Sequence, residues 1–503
     1  MVLYLRTAIF KNRYPIVIIF ATIVFLLTAY FSNGYYHADE HCQIIEFARC
    51  KLGYLNTDQL AWEYRAGLRP TLQPYIAVMV LKFMEFIQIK DPFHQAFALR
   101  LISAIIALWV LVFFYKSSKH LFKEKNQFIY LLILLFLWFI PFANVRFSSE
   151  SWSGIFMLLG LAFILNVKIK DSWRYFAAGL SMGVSYYCRF QIVFMILGLG
   201  IWLIFIQKLS LKNILKLCSG FLIFFVIGFL LDIRFYNKFV FTSWEYFNLN
   251  ILKGVSNNFG TSPFFEYFKL IFRHSFFPFA ILFYFAILFL LVRDYKNPVL
   301  WMIIPFLLLH SIVSHKEGRF LFPLANFIPF LLISMIDKWP DFKINRYFVI
   351  PIKILKFAII TFFVLLNGIF IIVTSLKSAE DGFGNMNKYV YRHFNDQKVN
   401  LISTPWSSSF NPFGLPMYFY YLNDMHEIQI NDICLLNDSN LAKDRINLLM
   451  LRRIHRSGSE CQAKINEMGF VKIYQSLPEW MLKLRSTYLH GSEQEVKELY
   501  IKK

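Results

Sequence analysis

Long apolar runs separated by short polar breaks fill the chain from Ile16 to Thr374. The runs measure about 17–25 residues, which is what a helix needs to cross roughly 30 Å of hydrocarbon. They predict membrane-spanning helices at 16–31 and near 96–115, 127–143, 153–167, 175–188, 191–206, 214–231, 276–292, 298–313, 320–336 and 348–374. The pattern therefore predicts an α-helical polytopic membrane protein with about 11 transmembrane helices.

One stretch, 72–89, does not fit. It is apolar, yet Pro74, Lys82, Glu85 and Gln88 interrupt it. If it crossed the bilayer, the basic segment Lys116, Lys119, Lys123 and Lys125 would fall outside and every later loop would flip. Laid along the outer interface as an amphipathic helix, it leaves the inward loops short and basic. They then carry Lys168, Lys170 and Arg174, then Lys208 and Lys212, Arg293 and Lys296, and Lys338, Lys343 and Arg346. Arg6, Lys11 and Arg13 put the start in the cytoplasm, and no small-residue cleavage site follows the first span, so it reads as an uncleaved signal anchor. The tail is rich in Asn, Asp, Glu and Ser and long enough for a small folded domain. The expected organisation is a transmembrane domain over 1–375, with an outer loop at about 32–95, and a C-terminal non-cytoplasmic α/β domain over 376–503.

Composition agrees with this reading. Hydrophobic residues make up 57% and aromatics 19%, with a mean hydropathy of +0.49, more than a soluble chain of this size carries. A net charge of +21 would suit nucleic acid in another setting. Here the lysines and arginines lie in short clusters between apolar runs, which orients helices and meets anionic head groups. Membrane lipids are the expected partners, and nucleic acid is not. The cysteines Cys42, Cys50, Cys188, Cys218, Cys434 and Cys461 show neither CxxC nor metal-ligand spacing. Cys42 with Cys50 and Cys434 with Cys461 could pair in an oxidising compartment, and buried thiols are the alternative.

The unusual side chains gather in the outward segments. His37-Ala38-Asp39-Glu40-His41 follows the first span. Adjacent acids at a membrane rim can accept a proton from a hydroxyl or hold a divalent metal; a solvated loop is the plainer reading. Trp62, Glu63, Tyr64 and Arg69 come next, suiting a sugar face and a phosphate, or simple interfacial anchoring. His315, Lys316, Glu317 and Arg319 sit between two spans, where ionisable groups are costly unless solvated or paired. The cations there would neutralise a lipid-linked phosphate, with snorkelling as the alternative, and Arg189 in an outward turn has the same two readings. Asp232 and Asn250 lie among aromatics in the long loop 232–265, which suits sugar recognition, although turns and caps are the commoner role of asparagine. These residues alone leave an enzyme and a transporter both open.

The order of the motifs narrows the choice. HADEHCQIIE with WEYRAGLRP, then DIRFYNKFVFTSWEYFNLNI with GTSPFFEY, then HKEGRFLFP resemble the motifs of the GT-C glycosyltransferases, and within them glycosyltransferase family 22. The resemblance covers most of 1–340. That family contains the GPI-anchor mannosyltransferases and the dolichol-linked-oligosaccharide α-mannosyltransferases. Glu150 departs from the family's more usual amide or small residue, in an outer loop where related enzymes place acceptor-binding or metal-binding acids.

The resemblance implies a GT-C fold with juxtamembrane helices in the first outer loop. It also implies a polyprenyl-phosphate mannose donor, such as dolichyl phosphate mannose, and a glycan or glycolipid acceptor. An acceptor hydroxyl would attack the anomeric carbon with inversion, giving an α-mannoside. The attacking hydroxyl needs a base, which is Asp39, with Glu40 positioning the acceptor. The leaving phosphate gains charge and needs cations, supplied by Lys316 and Arg319 and assisted by Arg189 and His315. His37, Trp62, Glu63, Tyr64, Arg69, Glu150, Asp232, Asn250 and Glu317 complete the expected substrate-binding set. No cofactor is expected; a divalent metal at Asp39 and Glu40 is compatible with the chemistry but not required. The alternatives are a GT-C transferase of another lipid-linked sugar and a lipid or solute transporter. Transport is disfavoured because the ionisable groups gather at one rim and no repeat is visible. The Lys-, Ile- and Phe-heavy composition favours a bacterial plasma membrane over an endoplasmic reticulum, with the active site on the non-cytoplasmic side.

Overall fold

The computed structural model describes residues 2–340, 346–380, 382–456, 459–479, 482 and 496–503; Lys343, expected in an inward loop, lies outside them. The chain forms two compact units whose boundary does not follow the sequence. One holds Met1–Phe31, Ala66–Ile76 and Leu99–Lys377, and the other holds Ser32–Arg65, Ala77–Ala98 and Ser378–Lys503. The units thus divide inside residues 32–98 as well as after Lys377, because the segments 32–65 and 77–98 belong with the tail.

Helices stand at each position where the apolar runs predict one. Among the described residues, Arg13–Phe31, Pro92–Leu121, Leu211–Tyr236 and Val349–Leu376 are long and apolar enough to cross a membrane, and Gly318–Ala325 with Ile328–Asp337 makes a fifth candidate bent by 51°. Ser149–Leu165, Phe190–Ile206, Phe277–Arg293 and Pro298–Ile312 are apolar but shorter, which is where the count departs from about eleven. The stretch expected to lie along the interface forms the 15-residue helix Leu72–Phe86. At 1.5 Å per residue that is about 22 Å, short of a bilayer crossing.

The expected span at 127–143 is broken, with one helix over Glu124–Phe136 and another over Phe139–Asn144. A break leaves backbone donors and acceptors that hydrocarbon cannot satisfy. Asn367, on Val349–Leu376, accepts from the Trp138 N–H at 2.9 Å and donates to the Phe136 carbonyl at 2.7 Å. One amide side chain thus closes both ends of the gap.

The second unit begins with the short helices Ala38–Cys42 and Ile45–Lys51. Its tail adds the helix Phe383–Phe394 and strands β1 (Val399–Ser403), β2 (Met425–Gln429), β3 (Ile446–Arg452), β4 (Phe470–Gln475) and β5 (Lys497–Lys502). Among the described residues the sheet order is β2-β1-β3-β5-β4. β1 runs parallel to both β2 and β3, and β5 runs antiparallel to β3 and β4. β1 is buried along its whole length, as a central strand with parallel neighbours should be. Ile402, Leu449, Leu451, Ile465, Phe470 and Tyr500 form the core on the sheet. The tail meets the loop closely enough that a Cβ on Gly384 would lie 2.5 Å from the Gly34 nitrogen, so only glycine fits there. Phe93, also of the loop, stacks on Tyr420 of the tail with centroids 4.9 Å apart.

Candidate active site

Asp39 and Glu40 occupy the first turn of Ala38–Cys42 in the second unit, where acids complement the helix dipole. His37 caps that helix, its Nδ1 accepting the Asp39 N–H at 3.2 Å. The same Nδ1 lies 3.7 Å from Asp39 Oδ1. Glu40 is buried and its carboxylate accepts the Tyr36 N–H at 3.3 Å, whereas the Asp39 side chain stays 20% exposed. Two neighbouring acids have different surroundings: Asp39 is reachable and Glu40 braces the turn.

Behind them lies a contact that the sequence pattern did not single out. His41 Nε2 meets Glu46 Oε1 at 2.8 Å, both side chains buried, and that oxygen also accepts the Phe419 N–H at 2.9 Å. Arg49 approaches the other Glu46 oxygen at 3.7 Å. The signal was present in HADEHCQIIE, a histidine and an acid five residues apart, but the partner amide comes from the tail. Of the other loop residues, buried Glu63 accepts from Gln43 at 3.0 Å, and Tyr64 packs edge-on against Phe47 at 5.0 Å. Trp62 is half-buried. These contacts hold the loop's shape.

The first unit carries the cations. Glu150, in the first turn of Ser149–Leu165, is buried. Its Oε1 accepts from Arg189 Nη1 at 2.7 Å and lies 3.2 Å from Arg319 Nη1. Arg319 Nε also donates to Glu317 Oε2, and the Phe320 ring lies 4.3 Å from the Arg189 guanidinium carbon and 5.1 Å from that of Arg319. Arg189 is 6% exposed, and its Nε has no hydrogen-bond acceptor among the described residues. A buried guanidinium N–H without an acceptor is costly unless something else satisfies it.

His315 stands beside this cluster, with Nε2 2.8 Å from Glu317 Oε1 and Nδ1 3.1 Å from the Gly260 carbonyl. Both ring nitrogens face acceptors, an arrangement satisfied by imidazolium. The hydrogen bond to Glu317 accordingly raises the His315 pKa above its ordinary value, against the opposing effect of burial. Lys316 is 9% exposed and donates to the carbonyls of Ser262 at 3.0 Å and Val313 at 2.7 Å, and burial lowers its pKa. Arg189 and Arg319 are thus matched by Glu150 and Glu317, and Lys316 feels the charge of Glu266.

Three expected residues, Asp232, Asn250 and Arg69, lie elsewhere in this unit. Asp232 is fully buried and accepts from Thr71 N–H at 2.8 Å, Thr71 Oγ1 at 2.7 Å and Thr242 Oγ1 at 2.5 Å. It fastens the end of Leu211–Tyr236 to Thr71, and its carboxylate is occupied by hydroxyls and an amide. Asn250 is half-buried, and its carbonyl accepts from Ser256 at 2.9 Å. Arg69 lies over Tyr246 at 5.9 Å, and Gln191 donates to the Tyr246 hydroxyl. Gly67 makes the turn before Arg69 at φ +67°, where a Cβ would lie 2.6 Å from Val240. Phe320, Gln191, Tyr246, Thr71 and Thr242 were missed. Phe320 and the threonines have no chemistry of their own to advertise them.

The model of the Alg9-like mannosyltransferase family matches residues 16–409. GPI mannosyltransferase 3 of Candida albicans is 27% identical over 412 residues, covering 80% of this chain and 78% of its own. GPI alpha-1,2-mannosyltransferase 3 of Danio rerio is 25% identical over 328 residues, covering 63% of this chain and 58% of its own. In structure, ArnT of Cupriavidus metallidurans bound to undecaprenyl phosphate superposes with a TM-score of 0.53 at 10% identity, over 97% of this chain and 98% of that one. At that identity the likeness concerns the fold, a helical multi-pass membrane protein of the GT-C type.

Proposed function

Because the chain belongs to the Alg9-like mannosyltransferase family, and so is a glycosyltransferase, we propose that its donor is mannose on a polyprenyl (dolichyl) phosphate. The acceptor is a hydroxyl of a glycan or glycolipid, the reaction occurs on the non-cytoplasmic face, and the product is an α-mannoside formed by inversion. The observation that carries this reading is the buried Glu150 carboxylate shared by Arg189 and Arg319, with the Arg189 Nε left without an acceptor among the described residues.

The acceptor oxygen attacks the anomeric carbon as the bond from that carbon to the phosphate oxygen breaks. The hydroxyl proton goes to Asp39, the more exposed of the two acids. The leaving group passes from a singly charged diester to a more highly charged monoester. Cations held in place before the reaction stabilise that added charge without reorganising. Phosphate is already a good leaving group, so this reading gives no metal a role. We keep about eleven spans, a non-cytoplasmic tail and a bacterial plasma membrane within the proposal, the last resting on the Lys-, Ile- and Phe-heavy composition.

The test is transfer by purified protein from radiolabelled polyprenyl-phosphate mannose to a lipid-linked glycan mixture, with and without chelator. Transfer is expected in both. Transfer only from another lipid-linked sugar, or only from a nucleotide sugar, would sink the donor assignment, and loss with chelator would sink the metal-free mechanism.

His315 sets a pH dependence. Its folded pKa is raised, so its charge is fully present below the ordinary histidine value of about 6.5 and is lost as pH rises through the higher folded value. Donor kcat/KM is expected to decline on the alkaline side of that titration, and His315→Gln to flatten the decline. An unchanged alkaline limb in the variant would remove His315 from the phosphate-binding set.

A further inference from the structure

We propose that Cys434 and Cys461 of the tail are joined by a disulfide in the mature protein. Their sulfurs lie 3.1 Å apart, although they are 27 residues apart in sequence and on different elements. Cys434 is in the short turn Ile433–Leu435 and Cys461 on the helix Ser459–Glu467. The sulfurs do not set this approach themselves. Ile433, Leu436 and Ile465 are buried in one hydrophobic cluster, and Cys461 packs against it. Asp432 fixes the turn by accepting the Cys434 N–H at 2.9 Å. The core therefore brings two sulfurs from different elements within 3.1 Å of one another.

Exposure fits a structural bridge. Cys434 is exposed, so an oxidant can reach it. Cys42 and Cys188 are buried, and the Cys50 thiol is engaged by Tyr64. The closed loop contains β3, so the bridge ties the strands around it to the helix that covers them.

Formation needs a two-electron oxidant. The disulfide of a thiol–disulfide oxidoreductase, on the non-cytoplasmic side, supplies it. Attack by one thiolate gives a mixed disulfide, and attack by the second releases the oxidoreductase as a dithiol. Two S–H bonds are lost, one S–S bond forms, and two protons and two electrons leave the pair. The inference rests on the proposed sidedness of the tail, which is tested separately below.

Cells are quenched with a membrane-permeant maleimide, and the purified full chain is reduced, labelled with a second maleimide and digested for mass spectrometry. Peptides with Cys434 and Cys461 are expected to escape the first label and take the second. In Cys434→Ser, Cys461 should gain the first label, as a bonded partner requires and mere burial does not. First-label modification of both thiols in the wild type overturns the proposal. So does stoichiometric zinc in the purified protein that disappears in Cys434→Ser, since Asp432, Cys434 and Cys461 could instead hold a metal. Labelling of Cys461→Ser in intact cells with a membrane-impermeant maleimide reads the side of Cys434 without reference to pairing or transfer. A Cys434 unreachable from outside removes the oxidising compartment, and with it both the sidedness and the bridge.

Discussion

Asp39→Asn is expected to lower the rate of mannose transfer by about 10²–10⁴-fold, the usual contribution of a positioned general base, while binding of polyprenyl-phosphate mannose is retained. The substitution keeps the size of the side chain, and the Asp39 backbone N–H still caps onto His37 Nδ1. Single-turnover transfer at saturating donor, beside donor binding by filter or fluorescence, separates the two effects. An asparagine variant with wild-type turnover would move the base elsewhere. Glu40→Gln is a useful companion, because the buried Glu40 carboxylate accepts the Tyr36 N–H. Its loss should appear first as a less stable turn rather than as a missing proton acceptor.

Glu150→Gln is expected to destabilise the protein more than it weakens donor binding. Glu150 Oε1 serves two buried guanidiniums at 2.7 and 3.2 Å. A neutral amide leaves Arg189 and Arg319 with Glu317 as the nearby neutralising carboxylate, and breaking a buried ion pair on one side costs about 3–5 kcal/mol. For a chain of 503 residues, the apparent unfolding midpoint should fall by roughly 3–5 °C. An anion supplied by a ligand should offset the lost carboxylate. Polyprenyl phosphate is therefore expected to raise the midpoint of the variant more than that of the wild type, through preferential binding to the folded state. An unchanged midpoint without ligand would show that the ion pairs contribute nothing. An equal ligand shift in both proteins would show that the phosphate binds elsewhere.

Apolar run length is a local property, and it located the helices, including the one at Leu72–Phe86. It could not locate the break at Leu137–Trp138, which depends on Asn367 more than two hundred residues away. Sequence reasoning singled out Asp39, Arg189, Glu150, Glu317 and Arg319 one at a time. That Glu150 would hold both arginines was not legible, since nothing near Ser149-Glu150 in sequence records who its partners are. Asp232 shows the opposite error. An acid among aromatics looks like a sugar ligand, and only the positions of Thr71 and Thr242 show that its oxygens are already occupied. The two-unit arrangement was hidden for the same reason. Its contacts join residues 32–98 to the tail, and a polar tail looks self-contained until its partners are known.

The bond between Glu46 and the Phe419 amide spans 373 residues, and this separation has a consequence for biosynthesis. At about 5–20 residues per second, the ribosome takes roughly 20–75 s to travel from one to the other. Throughout that interval the nascent chain carries the HADEH segment without the amide that completes its support. A truncated product ending before Phe419 would contain every acid and cation of the reaction, yet lack this contact. Completion of the polypeptide is thus a condition for the finished geometry around Asp39.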